Sequence, residues 1–195
     1  LNQQNTLFEL YKKRGIYTTN QIYWRGISIN GGFGSATGTI ISGNTIYVES
    51  FCGNTSAPYG LAASDIGRIN GTAAVAARRG TISNNKILRV KQNNTVGLPA
   101  FGIILQGGNN ITISNNFIQN VLNTGNLSFS TTYGAQGIFV STGNNHNIYH
   151  NTVSLTGTDA GSGNIIACLS FAGVATTGCD VRNNIFSNTC TSSST

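Results

Sequence analysis

The chain carries five carboxylates, Glu9, Glu49, Asp65, Asp159 and Asp180, against eleven Lys and Arg residues and two His. Cleaving a glycosidic bond takes a carboxylic acid and a carboxylate facing the same linkage. Eliminative cleavage takes acidic calcium ligands beside a basic residue that removes a proton. Counted from the nearest asparagine of the repeat described below, the five acids fall at +4, +5, −20, +8 and −4, so no two share a rung position and neither chemistry finds its residues. His146 and His150 have the spacing that binds zinc on a helix. On a strand they would stand about 13 Å apart, too far to share one ion, and no metal or cofactor is expected. No Gly-x-Ser-x-Gly elbow occurs, which leaves nucleophilic catalysis without a foothold. The expectation is a protein that is not an enzyme.

Two other groups could act without catalysis. Arg78, Arg79, Lys86, Arg89 and Lys91 concentrate positive charge in one stretch of a chain of net charge +6. Such a belt suits an anionic surface glycan or another polyanion, or it is a solvated rim that discourages sheet-edge aggregation. No aromatic residue interleaves with these bases in sequence, which argues against single-stranded nucleic acid. Of Cys52, Cys168, Cys179 and Cys190, the last two flank one short segment and form the candidate disulfide.

The elements that must position these groups come from a repeated phrase, apolar–x–x–Asn–x–apolar. It reads Ile41-Ser42-Gly43-Asn44-Thr45-Ile46, Ile82-Ser83-Asn84-Asn85-Lys86-Ile87, Ile113-Ser114-Asn115-Asn116-Phe117-Ile118, Ile148-Tyr149-His150-Asn151-Thr152-Val153 and Val181-Arg182-Asn183-Asn184-Ile185-Phe186. A partial copy at Asn5 precedes them, and the anchor asparagines are 39, 41, 31, 35 and 33 residues apart. Periods of this length mark stacked-repeat architectures. The two apolar positions are mostly β-branched, as a half-buried strand prefers. They lie five residues apart, so an unbroken strand would point them to opposite faces. The chain must bend between them, and the anchor asparagine is expected to take the left-handed corner conformation. Stacked corners would bring Asn5, Asn44, Asn85, Asn116, Asn151 and Asn184 about 4.8 Å apart, close enough for an amide ladder.

A second phrase, Gly-apolar-x-apolar, precedes the corner at Gly26-Ile27-Ser28-Ile29, Gly102-Ile103-Ile104-Leu105 and Gly137-Ile138-Phe139-Val140. Ala167-Cys168-Leu169-Ser170 matches loosely and puts Cys168 at the place of Ile103 and Ile138, as a buried free thiol. Gly71 keeps the 14-residue spacing to the anchor, with Thr72-Ala73-Ala74-Val75 as a weaker copy. The fold class is therefore all-β: a right-handed parallel β-helix of about five to six coils with an Asn ladder at one corner. The handedness comes from a resemblance. Phrases such as Asn147-Ile148-Tyr149-His150-Asn151-Thr152-Val153 and Asp180-Val181-Arg182-Asn183-Asn184-Ile185-Phe186 resemble repeats of the pectin-lyase-like superfamily. More narrowly, they are similar to repeats of large secreted surface proteins of Bacteroidetes-type bacteria. The resemblance covers nearly the whole chain, with about the first 25 residues and the loop around Asn54 to Arg68 fitting poorly, and implies an extracellular, secreted or cell-surface setting. It implies little about function, because this superfold hosts enzymes, tailspikes and inert stalks.

Charged residues make up 8% of the chain and hydrophobic residues 39%, too apolar for disorder. No run approaches a membrane span of roughly 18 apolar residues, so no membrane insertion is expected. Residues 1–195 read as one domain, a segment of a longer solenoid or a filament subunit, because the chain opens and closes in mid-coil and contains no Met. Its expected partners are neighbouring coils of the same polypeptide or further copies stacked head to tail. The function expected is a non-catalytic structural or adhesive module at a bacterial surface or in an extracellular filament. The alternatives are a polysaccharide lyase or hydrolase fragment and an ice-binding solenoid. Ice binding would need a regular outward ladder, whereas Ser42, Ser83, Ser114, Tyr149 and Arg182 end in bulky residues.

Overall fold

The computed structural model describes residues 25–30, 40–49, 59–64, 80–92, 99–124, 134–159, 165–172 and 176–192. All regular structure among them is β-strand, laid down in five successive passes. The first pass comprises β1 (Arg25–Asn30), β2 (Ile40–Ser42) and β3 (Thr45–Glu49). The second comprises β4 (Tyr59–Ser64), β5 (Thr81–Ser83) and β6 (Lys86–Gln92). The third comprises β7 (Ala100–Asn109), β8 (Thr112–Ser114), β9 (Phe117–Gln119) and β10 (Val121–Asn123). The fourth comprises β11 (Ala135–Asn144), β12 (Asn147–Tyr149), β13 (Thr152–Leu155) and β14 (Thr158–Asp159). The fifth comprises β15 (Ala167–Phe171), β16 (Asp180–Arg182), β17 (Ile185–Asn188) and β18 (Thr191–Ser192).

Each pass adds one strand to each of three open parallel sheets. One runs β1-β4-β7-β11-β15, the second β2-β5-β8-β12-β16, and the third joins β3, β6, β9 with β10, β13 and β17. The register repeats the sequence phrase. Ile41, Ile82, Ile113, Ile148 and Val181 are successive partners, as are Ile46, Ile87, Ile118, Val153 and Phe186. The first four members of each column are buried to 2% exposure or less and meet in one core with Ile103, Leu105, Ile138 and Val140.

Glycines are required where the first sheet approaches that core. Gly102 pairs beside Gly137. A methyl group on Gly102 would sit 2.7 Å from Ile118 Cγ2, and one on Gly137 would sit 2.7 Å from the Cys168 carbonyl oxygen. No side chain fits that gap. The register also places Gly60 in line with Gly102, so the second-pass strand is Gly60-Leu61-Ala62-Ala63. The weaker copy expected at residues 71–75 lies outside the described residues. In the fifth pass, Ala167 pairs with Gln136 and Leu169 with Ile138. Cys168 therefore stands beside Gly137, one place from the position that its sequence phrase suggests. It remains a buried free thiol.

The asparagines between the second and third sheets form the ladder. The backbone N–H and Nδ2 of Asn44 both donate to Asn85 Oδ1, at 3.2 and 2.9 Å. Asn85 donates in the same way to Asn116, Asn116 to Asn151, and Asn151 to Asn184. The second Nδ2 hydrogen reaches back to the preceding pass: Asn85 to the Ile41 carbonyl, Asn116 to Ile82 and Asn151 to Ile113, at 2.9–3.0 Å. Each interior amide thus makes its full complement of four hydrogen bonds while 0–1% exposed. Asn5 lies outside the described residues.

One expectation about this corner is corrected. The left-handed residue is the one before each anchor: Gly43 (φ 73°), Asn84 (57°), Asn115 (54°), His150 (55°) and Asn183 (55°). The anchors have ordinary negative φ. The reason is division of labour. The anchor's N–H, C=O and side chain are all committed to neighbouring passes, so the bend falls on its exposed predecessor. Asn, His and Gly tolerate that conformation better than β-branched residues do. A matching corner between the first and second sheets uses Asn110 (φ 56°), Asn145 (57°) and Gly178 (67°).

Candidate functional site

Three places in the described structure gather chemistry-bearing side chains. The first is the outer face of the second sheet, where Asn147 and Tyr149 of β12 pair with Asp180 and Arg182 of β16. Alternation along these three-residue strands turns Ile148 inward and its two neighbours outward. The Tyr149 hydroxyl donates to Asp180 Oδ2 at 2.7 Å or to Asn147 Oδ1 at 3.0 Å, and accepts from Arg182 Nη2 at 3.1 Å. Arg182 also pairs with Asp180 at 2.7 Å, and its guanidinium carbon stands 4.9 Å from the Tyr149 ring centre. The Tyr149 hydroxyl and then the Asp180 charge hold the Arg182 pKa above its usual value. Among the described residues this face carries a single carboxylate, and general acid–base cleavage of a glycoside calls for two.

The second place lies inside the third and fourth passes. His146 is fully buried in line with Ile111, whose backbone N–H donates to Nδ1 at 3.4 Å. Its Nε2 faces Gly143, where a methyl group would sit 2.7 Å from that nitrogen. Burial lowers its pKa, opposed by a contact with the Thr142 backbone. His150 is exposed at the corner, turned away from the core that encloses His146. Among the described residues no group of three His, Cys, Asp or Glu is arranged to hold a metal.

Cys179 and Cys190 are both free thiols, which corrects the bridge expected between them. The chain turns through two sheets between them. Cys179 immediately precedes β16, level with His146, whereas Cys190 follows β17 and packs on the core near Cys168. Burial pushes up the pKa of Cys190, reinforced by the charges of Asp159 and Cys168.

The third place is the outer face of β6. Lys86 and Arg89 are exposed and Lys91 is half-buried, while Ile87, Val90 and Gln92 point inward. Strict alternation would turn Arg89 toward the core. A register shift between Ile46 and Tyr47 inserts Leu88 as an extra residue, and the bulge aims Arg89 outward opposite Tyr47. Lys86 stands between Thr45 of β3 and Phe117 of β9. Tyr47 is 62% exposed and Phe117 37% exposed. Strand pairing therefore flanks the basic row with two aromatic rings, each about one repeat away in sequence from the base it faces. Arg78 and Arg79 lie outside the described residues.

Sequence reasoning also missed a second polar ladder. Asn109 Oδ1 accepts from the Asn144 N–H at 2.8 Å, and Asn144 Oδ1 accepts from both the N–H and the hydroxyl of Thr177 at 2.9 Å. The Asn109 and Asn144 pair was a readable signal, but Thr177 in the fifth pass hid the column. No family model, curated protein or solved structure matches the chain.

Proposed function

We propose that the chain is a right-handed parallel β-helix acting as a non-catalytic structural and adhesive module, exposed at a bacterial surface or in an extracellular filament. The observation that carries this reading is the ladder. Five asparagines from five passes are joined by four amide–amide bonds of 2.9–3.0 Å, a device for rigid stacking rather than turnover. The coil reading draws further support from three parallel sheets sharing one core and from left-handed corners at equivalent positions in successive passes. The extracellular setting follows from the resemblance of the repeats to those of secreted surface proteins.

A second reading, a polysaccharide lyase or hydrolase, draws on the Tyr149–Asp180–Arg182 network, which puts a phenol, a carboxylate and a guanidinium in contact on an outer face. One experiment separates the two. The protein is incubated with polygalacturonate, alginate and sulfated glycans, and new reducing ends and unsaturated products are measured. The structural reading expects neither. Cleavage that disappears in Tyr149→Phe would replace it with the enzymatic one.

A further inference from the structure

We propose that the outer face formed by β3, β6 and β9 is a binding site for an acidic polysaccharide, a polymer of sugar rings bearing repeated carboxylate or sulfate groups. The inference gives a ligand class to the adhesive reading above and rests on it for the setting in which such a polymer is met.

The geometry begins with the bulge at Leu88. It puts Arg89 on the same face as Lys86 and Lys91, so one strand offers three cations over about 15 Å. Lys86 and Arg89 are the exposed members of the row and Lys91 is half-buried, which centres the site on the first two. Tyr47 and Phe117 lie one strand to either side, and their register partners are Arg89 and Lys86 respectively. The exposed surface therefore alternates aromatic ring, cation, cation, aromatic ring along a diagonal across three strands.

A ligand matched to that diagonal needs apolar faces and anionic groups on one axis. An acidic polysaccharide has both: the C–H face of a sugar packs on an aromatic ring, and the acid group on the next sugar reaches a cation. A single-stranded nucleic acid fits less well. Its bases leave the phosphate backbone toward one side, whereas these rings flank the cation row on both sides. The hydroxyls of Thr45 beside Lys86 and Thr152 beside Phe117 add hydrogen-bonding groups suited to a polyol.

The test is affinity electrophoresis of the whole chain in gels containing polygalacturonate, dextran sulfate, neutral dextran or a single-stranded DNA oligonucleotide. The expected result is retardation by polygalacturonate, dextran sulfate or both, weakening as salt rises, and none by neutral dextran. The first two gels distinguish carboxylate from sulfate recognition. Lys86→Gln with Arg89→Gln should weaken binding about tenfold or more. Tyr47→Ala and Phe117→Ala should each weaken it at fixed salt without altering the salt dependence. Ser114→Ala, on a different sheet, should leave it unchanged, and an unaltered unfolding midpoint verifies that each variant is folded. Equal retardation by neutral dextran, or wild-type binding by the double variant, would overturn the site. Wild-type binding by both aromatic variants would reduce it to a non-selective cationic rim. Stronger retardation by the oligonucleotide would replace the polysaccharide with nucleic acid. All of these outcomes leave the structural reading of the fold standing, whereas cleavage of a bound polymer would remove that reading and keep the site.

Discussion

The first and last described passes carry the same phrase in different surroundings. Ile41 and Ile46 of the first are 2% and 1% exposed, whereas their counterparts Val181 and Phe186 in the fifth are 40% and 42% exposed. Both passes make the corner with a left-handed residue before the anchor, and both contribute to the ladder. The phrase therefore sets backbone geometry by itself. Burial is a property of layers: a side chain at the same repeat position contributes to stability in proportion to what lies on either side of it.

The largest effect that can break this comparison is in the core columns. Ile113→Ala, in the third pass, should cost about 3–4 kcal/mol through lost burial and the cavity left behind. Val181→Ala at the same repeat position should cost less than about 1 kcal/mol. Denaturant unfolding of the two variants measures this, and equal losses would show that the fifth pass is as well packed as the third.

The ladder gives the next contrast. Asn116→Ala removes two accepted and two donated hydrogen bonds in a fully buried amide and should cost about 2–3 kcal/mol. Asn184→Ala strands two donors of Asn151 but at a half-exposed position, so about half that cost is expected. If Asn184→Ala proved the more damaging, the ladder would be anchored at its end rather than shared among its layers.

A pH series sharpens the comparison at the buried histidine. Burial holds the folded-state pKa of His146 below the usual 6.5 of a solvated imidazole. The unfolded chain then binds more protons than the folded chain as pH falls past about 6.5. Stability should be fully present above that value and decline below it. His146→Phe should flatten the decline in unfolding midpoint measured between pH 7 and pH 5. The smallest effect expected is at an outward position: Ser114→Ala should move stability by no more than about 0.5 kcal/mol.

The ladder and the two apolar columns were legible in the sequence because they recur at one spacing with one residue type. The left-handed position was not, because Gly, Asn and His all satisfy it and the invariant neighbour drew attention instead. The register of β15 was hidden because Ala167 takes no part in the glycine column and Cys168 looks like a core residue. The aromatic flanks of β6 were invisible for a different reason. Tyr47 and Phe117 meet Arg89 and Lys86 only through pairing between passes, and the bulge that turns Arg89 outward leaves no mark on periodicity.

Each interior amide of the ladder, Asn85, Asn116 and Asn151, donates to the anchor of the next pass and accepts from the anchor before. The stack is thus vectorial, with a dipole whose positive end is at Asn184 and whose negative end is at Asn44. Like dipoles in line polarise one another and strengthen each bond in the series. A layer inserted upside down would set donor against donor, whereas a whole pass duplicated in the same sense would present to its neighbours the groups they already meet. The architecture can lengthen in single-layer increments, and only in one orientation.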